Sequence, residues 1–147
     1  MSAVEYIAAA ALTWLVGFLP LFEIYIAIPV GFAAGLDPVS ATLWSALGNI
    51  LPLYLVDLGY ERLRQHERID HWLSKLRRER VERALSRYGW IAVFAATPLL
   101  GVWTMALAAK ALGMATRPFL LASTLSVCVY AVLLTASIIA GLELVTT

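Results

Sequence analysis

Near the start of the chain, one acidic residue, two prolines and a glycine interrupt a hydrophobic stretch, Pro20-Leu-Phe-Glu-Ile-Tyr-Ile-Ala-Ile-Pro-Val-Gly31. The chain is 61% hydrophobic and contains long runs without charge, so we expect it to lie in a lipid bilayer. An ionisable side chain in lipid is costly and marks a functional candidate. Prolines interrupt helical hydrogen bonds, which a membrane tolerates only where protein or a water-filled cavity surrounds the backbone. The stretch therefore predicts part of a transport site.

The uncharged runs are the candidate membrane segments, and they cover residues 6–22, 24–36, 38–56, 88–109 and 118–142. A helix needs roughly 20 apolar residues to span a bilayer. The last run exceeds that length, the first and third just reach it, and 24–36 is too short. Nine of the eleven Lys and Arg residues lie between Arg62 and Arg87. Because positive charge favours the inside of the membrane, this stretch is predicted to be cytoplasmic.

Two arrangements compete. If every run crossed the membrane, Lys110 and Arg117 would lie outside and 24–36 would span at half length. We prefer an arrangement with two re-entrant hairpins, because it places every Lys and Arg on the cytoplasmic side. Residues 4–19 then cross outward, 20–35 dip in from outside, 38–59 cross inward, 60–87 form cytoplasmic amphipathic helices, 88–113 dip in from the cytoplasm, and 118–142 cross outward.

The predicted fold is thus a single all-α integral membrane domain with three full transmembrane helices and two opposed re-entrant hairpins. A faint inverted repeat pairs Pro29 and Pro38 with Pro98 and Pro118, although the proline spacings differ. Inverted repeats with broken helices are a common transporter plan. The predicted location is the inner (cytoplasmic) membrane, with the N-terminus inside and the C-terminus outside.

The first hairpin supplies most of the candidate site. Glu23 is the predicted proton or cation site, or else it caps a helix N-terminus, where negative charge is favoured. Tyr25 donates a hydrogen bond to substrate or is an interfacial aromatic residue. Asn49 coordinates an ion or substrate, or it satisfies backbone freed by Pro52. Pro29 and Gly31 are the predicted breaks of this hairpin.

The second hairpin is predicted to break at Pro98 and Gly101. Thr97 and Thr104 supply hydroxyl groups, and the indole of Trp103 suits a cation or a lipophilic ring, or packs against lipid. Asp57 is expected at the cytoplasmic end of the segment 38–59, paired with Arg62 or Arg64.

Several function classes are disfavoured. The sequence has no nucleophile–base pair, no clustered metal ligands and no phosphate-binding loop, so we predict no enzyme activity, no metal and no cofactor. Acidic residues interleave with the basic stretch, and the inside-positive bias already explains its charge, so nucleic acid is not an expected partner.

At its two hairpins the chain resembles the small multidrug export protein family, which is distantly similar to the DedA/VTT-type membrane proteins. The residues that match the family motifs are Glu23, Ala27, Ile28, Pro29 and Gly31, then Gly48, Asn49 and Pro52, then Pro98, Gly101, Trp103 and Thr104. The family arginine is Tyr25 here. Ala96, Leu99, Leu100 and Met105 replace a proline, a glycine, a threonine and a glycine, so the site is drier and bulkier than the family pattern implies.

The resemblance and the acidic residue within hydrophobic sequence together predict a small secondary transporter, with proton-coupled export of small amphipathic or cationic compounds. A lipid flippase or scramblase of DedA-like type and a non-transporting membrane scaffold are the alternatives. Expected partners are membrane lipids, a small-molecule substrate and a second copy of the chain. The small-xxx-small pattern from Gly31 to Gly35 favours such a homodimer.

Overall fold

The computed structural model describes the backbone of residues 1–64 and 79–146, and the side chains of 1–60 and 89–144. Within those ranges the chain forms six helices and no strand. They are α1 (Ala3–Phe18), α2 (Glu23–Ala33), α3 (Pro38–Arg64), α4 (Glu79–Leu100), α5 (Val102–Ala111) and α6 (Thr116–Thr146). Of the predicted cytoplasmic amphipathic region 60–87, residues 65–78 lie outside the described part.

Two helices are long and apolar enough to cross a membrane by length and composition. They are Pro38–Tyr60, with a mean hydropathy of 1.4, and Thr116–Leu144, with a mean hydropathy of 2.3. Three shorter apolar helices accompany them, at Ala3–Phe18, Glu23–Ala33 and Gly89–Leu100. An all-helical chain with this composition fits a membrane protein.

The chain forms two compact units. Unit 1 contains Met1–Ile50 and Val127–Thr147, and unit 2 contains Leu51–Ser126. The long helices α3 and α6 each contribute to both units.

In unit 1, α1 packs against α2 and is joined to α3 by side-chain hydrogen bonds. The indole Nε1 of Trp44 donates to the Tyr6 hydroxyl at 3.2 Å, and that hydroxyl lies 3.0 Å from Ser40 Oγ. Ser2 and Glu5 form a capping box at the start of α1, which satisfies two backbone N–H groups of its first turn.

Glycines bring α1, α2 and α3 into backbone contact. A Cβ added at Gly17 would lie 2.6 Å from the Ser45 carbonyl oxygen, and one at Gly48 would lie 2.1 Å from the Trp14 carbonyl oxygen. A Cβ at Gly31 would lie 2.9 Å from the Cβ of Ala41. Small residues at helix crossings permit this approach in membrane proteins. The packing of unit 1 therefore depends on the absence of side chains at these positions.

The break in the first half of the chain lies earlier than the sequence predicts. Pro29 and Gly31 lie inside α2, and the chain turns instead at residues 19–22, where Leu21 has φ 83°. Pro29 removes a single N–H from α2, and membrane helices tolerate such a loss when neighbouring groups compensate. Gly31 serves close packing rather than a break.

In the second half, the break lies at Gly101. This residue has φ 86° and separates α4 from α5, while Pro98 stands in the last turn of α4. Within α4, Gly89 also departs from helical geometry, with φ 53° and ψ −128°. The apolar part of α4 therefore begins at this kink.

The short helices α2 and α5 end in the same way. After α2, Gly35 N–H donates to the Phe32 carbonyl and Leu36 N–H to the Gly31 carbonyl, each at 3.0 Å. This is the bonding pattern of a Schellman motif, and Gly35 has the positive φ that it needs.

After α5, Gly113 N–H donates to the Lys110 carbonyl and Met114 N–H to the Ala109 carbonyl, also at 3.0 Å. Each motif leads through a short link into a long helix, α3 or α6.

Residues 20–38 and 98–116 therefore follow a common course of proline, break, short helix, Schellman motif and long helix. With a constant offset, Pro20 corresponds to Pro98, Glu23 to Gly101 and Gly35 to Gly113. This correspondence replaces the predicted pairing of Pro29 with Pro98.

Candidate functional site

Glu23 is the first residue of α2 and is 9% exposed. Its φ of 48° lies in the left-handed region, which is strained for a residue with a side chain. A helix N-terminus favours negative charge, whereas removal from water disfavours it. The sequence offered two interpretations of Glu23, a buried acid and an acid at a helix N-terminus. In the structure Glu23 is both buried and at the N-terminus of α2.

Tyr25 stands one half-turn further along α2 and is 43% exposed. Its phenol lies within electrostatic range of Glu23 and of Tyr130 on α6. Sequence reasoning missed Tyr130. The available signal was a hydroxyl-bearing aromatic residue in the middle of the uncharged run 118–142. Unit 1 therefore groups one carboxylate with two phenols.

Asn49 lies on α3 and is 1% exposed, and its Oδ1 has no hydrogen-bond partner within the described part of the chain. Ser45, one helical turn earlier, is fully buried, and its Oγ also lacks a described partner. Buried polar atoms are normally satisfied, so two unsatisfied oxygens on one helix face need an explanation. Sequence reasoning missed Ser45, although the i, i+4 spacing to Asn49 was visible.

Three buried hydroxyl-bearing residues of unit 2 have hydrogen-bond partners within that unit. The Thr97 hydroxyl donates to the Val93 carbonyl oxygen at 2.6 Å and lies 3.4 Å from Ser123 Oγ. Ser126 Oγ donates to the Phe94 carbonyl oxygen at 2.6 Å. Thr97, Ser123 and Ser126 are all fully or nearly fully buried. Their hydroxyl groups tie α4 to α6.

Trp103 and Thr104 lie in the first turn of α5, directly after the break at Gly101, and both are half-buried. Trp103 corresponds to Tyr25 in the offset that relates the two halves. Each short helix therefore carries a large aromatic side chain two positions after the residue at its break.

Asp57 forms an ion pair with Lys110, and the Lys110 Nζ also donates to Thr116 Oγ1 at 2.9 Å. The two side chains are 22% and 20% exposed. The sequence predicted Arg62 or Arg64 as the partner, but Lys110 fills that role here; the side chains of those arginines lie outside the described residues.

The predicted site residues are divided between the two units. Glu23, Tyr25 and Asn49 belong to unit 1, and Thr97, Trp103 and Thr104 belong to unit 2. Among the side chains that the structure describes, those of residues 1–60 and 89–144, no three His, Cys, Asp or Glu residues form a group able to hold a metal ion.

Comparison with known families decides the affiliation of the chain. The family model described as "Putative small multi-drug export protein" matches residues 23–133. The chain belongs to this small multi-drug export protein family. The match begins at Glu23 and includes all six predicted site residues. None of the curated proteins and none of the solved structures matches the chain.

Membership of the small multi-drug export protein family agrees with the predicted membrane location and with a transporter. The family description names export and no enzyme activity. The distant similarity to DedA/VTT-type proteins stays a prediction.

Proposed function

We propose that this protein is a small secondary transporter of the cytoplasmic membrane that exports amphipathic or cationic compounds in exchange for protons. The observation that carries the proposal is the buried carboxylate of Glu23 at the strained N-terminus of a short helix. The family description supports export. The Glu23 carboxylate is the group that would couple export to proton movement.

Two opposing influences act on Glu23. Burial away from water disfavours its charged form, while the N-terminus of α2 favours it. A carboxylate held between such influences can change protonation when a substrate or water enters its surroundings. A cationic substrate and a proton can then compete for one negative charge, which is the simplest form of exchange.

The ion pair between Asp57 and Lys110 supports the re-entrant arrangement of residues 88–113. If every hydrophobic run crossed the membrane, these two charges would lie on opposite faces, about 30 Å apart. Their contact supports a chain that returns to the face from which it entered.

Helix lengths agree with this arrangement. At 1.5 Å per residue, Gly89–Leu100 is about 18 Å long and Val102–Ala111 about 15 Å long, so neither crosses the hydrocarbon core of about 30 Å alone. The proposed orientation has residues 60–87 and the N-terminus inside and the C-terminus outside.

The common course of residues 20–38 and 98–116 supports an inverted repeat. Transporters with such repeats bind substrates where broken helices meet near the midplane. In the proposed site Glu23 carries the proton, and the other residues line the substrate path. These lining residues are Tyr25, Asn49, Thr97, Trp103 and Thr104.

Uptake into proteoliposomes tests the proposal. Tetraphenylphosphonium and other lipophilic cations are offered to vesicles under an imposed pH gradient. We expect uptake driven by the gradient with native protein, and at least a tenfold loss of it with Glu23→Gln. Glu5→Gln is the matched control, because Glu5 is exposed at the N-terminus of α1. Gradient-driven uptake by folded Glu23→Gln at the native rate would contradict the proposed role.

One feature favours lipid movement as a second candidate function. An apolar groove of about 390 Å³ lies between α3 and α6 within unit 1, and a hydrogen-bonded pair, Thr42 and Thr135, lies on its wall at 2.6 Å. Its remaining lining residues are Pro38, Val39, Leu43, Val132, Ala136 and Ile139. A groove of this kind suits an acyl chain. Transbilayer movement of fluorescent lipid, lost on filling the groove with Leu43→Trp, would favour this function over cation export.

A further inference from the structure

We propose that Ser45, Asn49 and the main-chain carbonyl of Gly48 form a binding site for a sodium ion. The inference deepens the proposed function by naming an ion for one part of the site. It rests on that function only for the role of the ion in transport, because binding is measured without transport.

The first support is the pair of oxygens on one face of α3. Ser45 Oγ and Asn49 Oδ1 are buried, lack a hydrogen-bond partner within the described ranges, and stand one helical turn apart. Leaving a buried polar atom unpaired costs about 1–3 kcal/mol. Two such costs in one turn are offset if a ligand that accepts lone pairs occupies the site.

The second support is a carbonyl that has lost its helical donor. In an α-helix the carbonyl of Gly48 would accept from the N–H of residue 52, but Pro52 has none. The Gly48 carbonyl therefore lacks its usual main-chain donor, and it lies between Ser45 and Asn49 in the sequence. Carbonyl groups released from a broken helical ladder are the usual Na⁺ ligands in transporters with interrupted helices.

The choice of ion follows from the chemistry of the ligands. A hydroxyl, an amide carbonyl and a main-chain carbonyl are neutral hard oxygens, and they suit an alkali cation. Divalent Ca²⁺ and Mg²⁺ sites usually include carboxylates, and these three ligands include none.

The choice between the alkali ions rests on the ligand type. Main-chain carbonyls of interrupted transporter helices coordinate Na⁺, so we assign sodium. Competition between Na⁺ and K⁺ tests that choice.

The other half of the chain shows how a similar serine is satisfied. Ser123 occupies the position that corresponds to Ser45, and its oxygen lies 3.4 Å from the Thr97 hydroxyl. The residue that corresponds to Thr97 in the first half is Leu19, which has no side-chain donor. The unpartnered state of Ser45 is therefore specific to unit 1.

Binding of ²²Na⁺ to the detergent-purified full-length protein tests the site directly. We expect saturable binding of about one ion per chain, displaced by unlabelled Na⁺ more readily than by K⁺. Thermal unfolding provides a second readout, because a ligand that binds only the folded state stabilises it. Tm should rise by about 3 °C or more in Na⁺ relative to choline at equal ionic strength.

Variants locate the ion. Ser45→Ala and Asn49→Ala should weaken ²²Na⁺ binding at least tenfold. Ser137→Ala is the matched control and should bind like the native protein, since Ser137 is exposed and donates to Leu133 within α6. If the alanine variants do not fold, Asn49→Asp keeps the oxygen ligand and adds a negative charge, so it should bind Na⁺ at least as tightly as the native protein.

Three results would overturn the assignment. They are the absence of saturable ²²Na⁺ binding to native protein, native affinity in both alanine variants, and loss of binding in folded Asn49→Asp. If the native protein shows proton-driven uptake but binds no Na⁺, the sodium site is rejected and the proposed transport function is not. Sodium binding by a protein that transports nothing would instead reject the proposed function.

Discussion

The first and second halves of the chain share a backbone course but hold different polar groups. Where the first half breaks, Glu23 supplies a buried carboxylate, and where the second half breaks, the corresponding Gly101 supplies no side chain. On the long helices, Ser45 and Asn49 present unpartnered oxygens, whereas Ser123 and Ser126 contact groups of their own unit.

This contrast separates polar groups that maintain the fold from those available for a ligand. Hydroxyl groups of unit 2 that bond to neighbouring helices are already satisfied and stabilise the packing. Thr124 Oγ1 is an exception among the described residues of that unit, since it is buried without a hydrogen-bond partner. We therefore assign ion chemistry mainly to the first half. The second half supplies packing and, in the proposed function, the substrate-lining residues Thr97, Trp103 and Thr104.

The largest expected effect comes from a substitution that disrupts the crossing of α1 and α3 in the first half. Gly48→Ala places a Cβ 2.1 Å from the Trp14 carbonyl oxygen, and neither backbone can yield easily. Overpacking usually costs about 1–3 kcal/mol and occasionally more, and a backbone clash belongs at the upper end. Thermal unfolding in detergent measures the loss.

Gly59→Ala is the control for this substitution, because Gly59 lies on the same helix and an added Cβ there meets nothing within 4 Å. Alanine should be neutral or stabilise the helix by up to about 1 kcal/mol. Equal stability of the two variants would show that α1 and α3 do not cross at Gly48.

The next effect concerns the ion pair of unit 2. Lys110→Met leaves Asp57 without its partner, at a cost of roughly 1–3 kcal/mol, between the values for exposed and buried pairs. The exchange variant Asp57→Lys with Lys110→Asp should recover most of the lost stability. No recovery would argue against contact between these residues and against the proposed return of residues 88–113 to the same face.

A smaller effect is expected from a hydroxyl group that only joins helices. Ser126→Ala removes its hydrogen bond to the Phe94 carbonyl and should cost about 0.6 kcal/mol, the average for hydrogen bonds between membrane helices. Its transport rate per folded molecule should match that of native protein. A large loss of transport with little loss of stability would move Ser126 into the transport site.

The smallest effect concerns Asp37, an exposed residue that immediately precedes α3. Asp37 Oδ1 accepts from the N–H groups of Val39 and Ser40 at 3.0 Å, and the hydrogen bond from the Ser40 side chain is the main reason why the pKa of Asp37 lies below its usual value. A lowered folded-state pKa stabilises the protein above the unfolded pKa of about 3.9, and this stabilisation is lost as the pH falls through the folded pKa.

Asp37→Asn should keep the helix cap but remove this acid sensitivity, and Asp37→Ala should lose both. Unfolding curves between pH 6 and pH 3 compare the three proteins. An unchanged acid response in Asp37→Asn would assign the sensitivity to other carboxylates.

Sequence patterns predicted one helix break more accurately than the other. Gly101 is a break because glycine adopts positive φ without strain. The glycine is visible in the sequence, so this break could be predicted. The first break uses Leu21 and Glu23 in conformations that side chains disfavour, so no turn residue other than Pro20 marks it. Pro29 looked like the break because proline usually ends a helix, yet α2 continues through it.

The candidate site was predicted in part for a similar reason. Glu23 and Asn49 stand out as polar residues in apolar sequence. Ser45 and Tyr130 carry only weak sequence signals, and the structure adds the unpartnered Ser45 oxygen and the proximity of Tyr130 to Tyr25. The small-xxx-small pattern also changes meaning, since Gly31 packs on Ala41 and Gly35 ends α2 within the same chain. A homodimer remains a proposal that this pattern no longer favours.

The most direct test of the contrast between the halves is substrate-driven proton flux in proteoliposomes, measured with an interior pH dye and normalised to folded protein. We predict that Glu23→Gln abolishes the flux while Ser126→Ala leaves it within twofold of the native rate. A proton flux at the native rate from Glu23→Gln, or an equal loss of flux in Glu23→Gln and Ser126→Ala, would contradict the assignment of ion coupling to the first half.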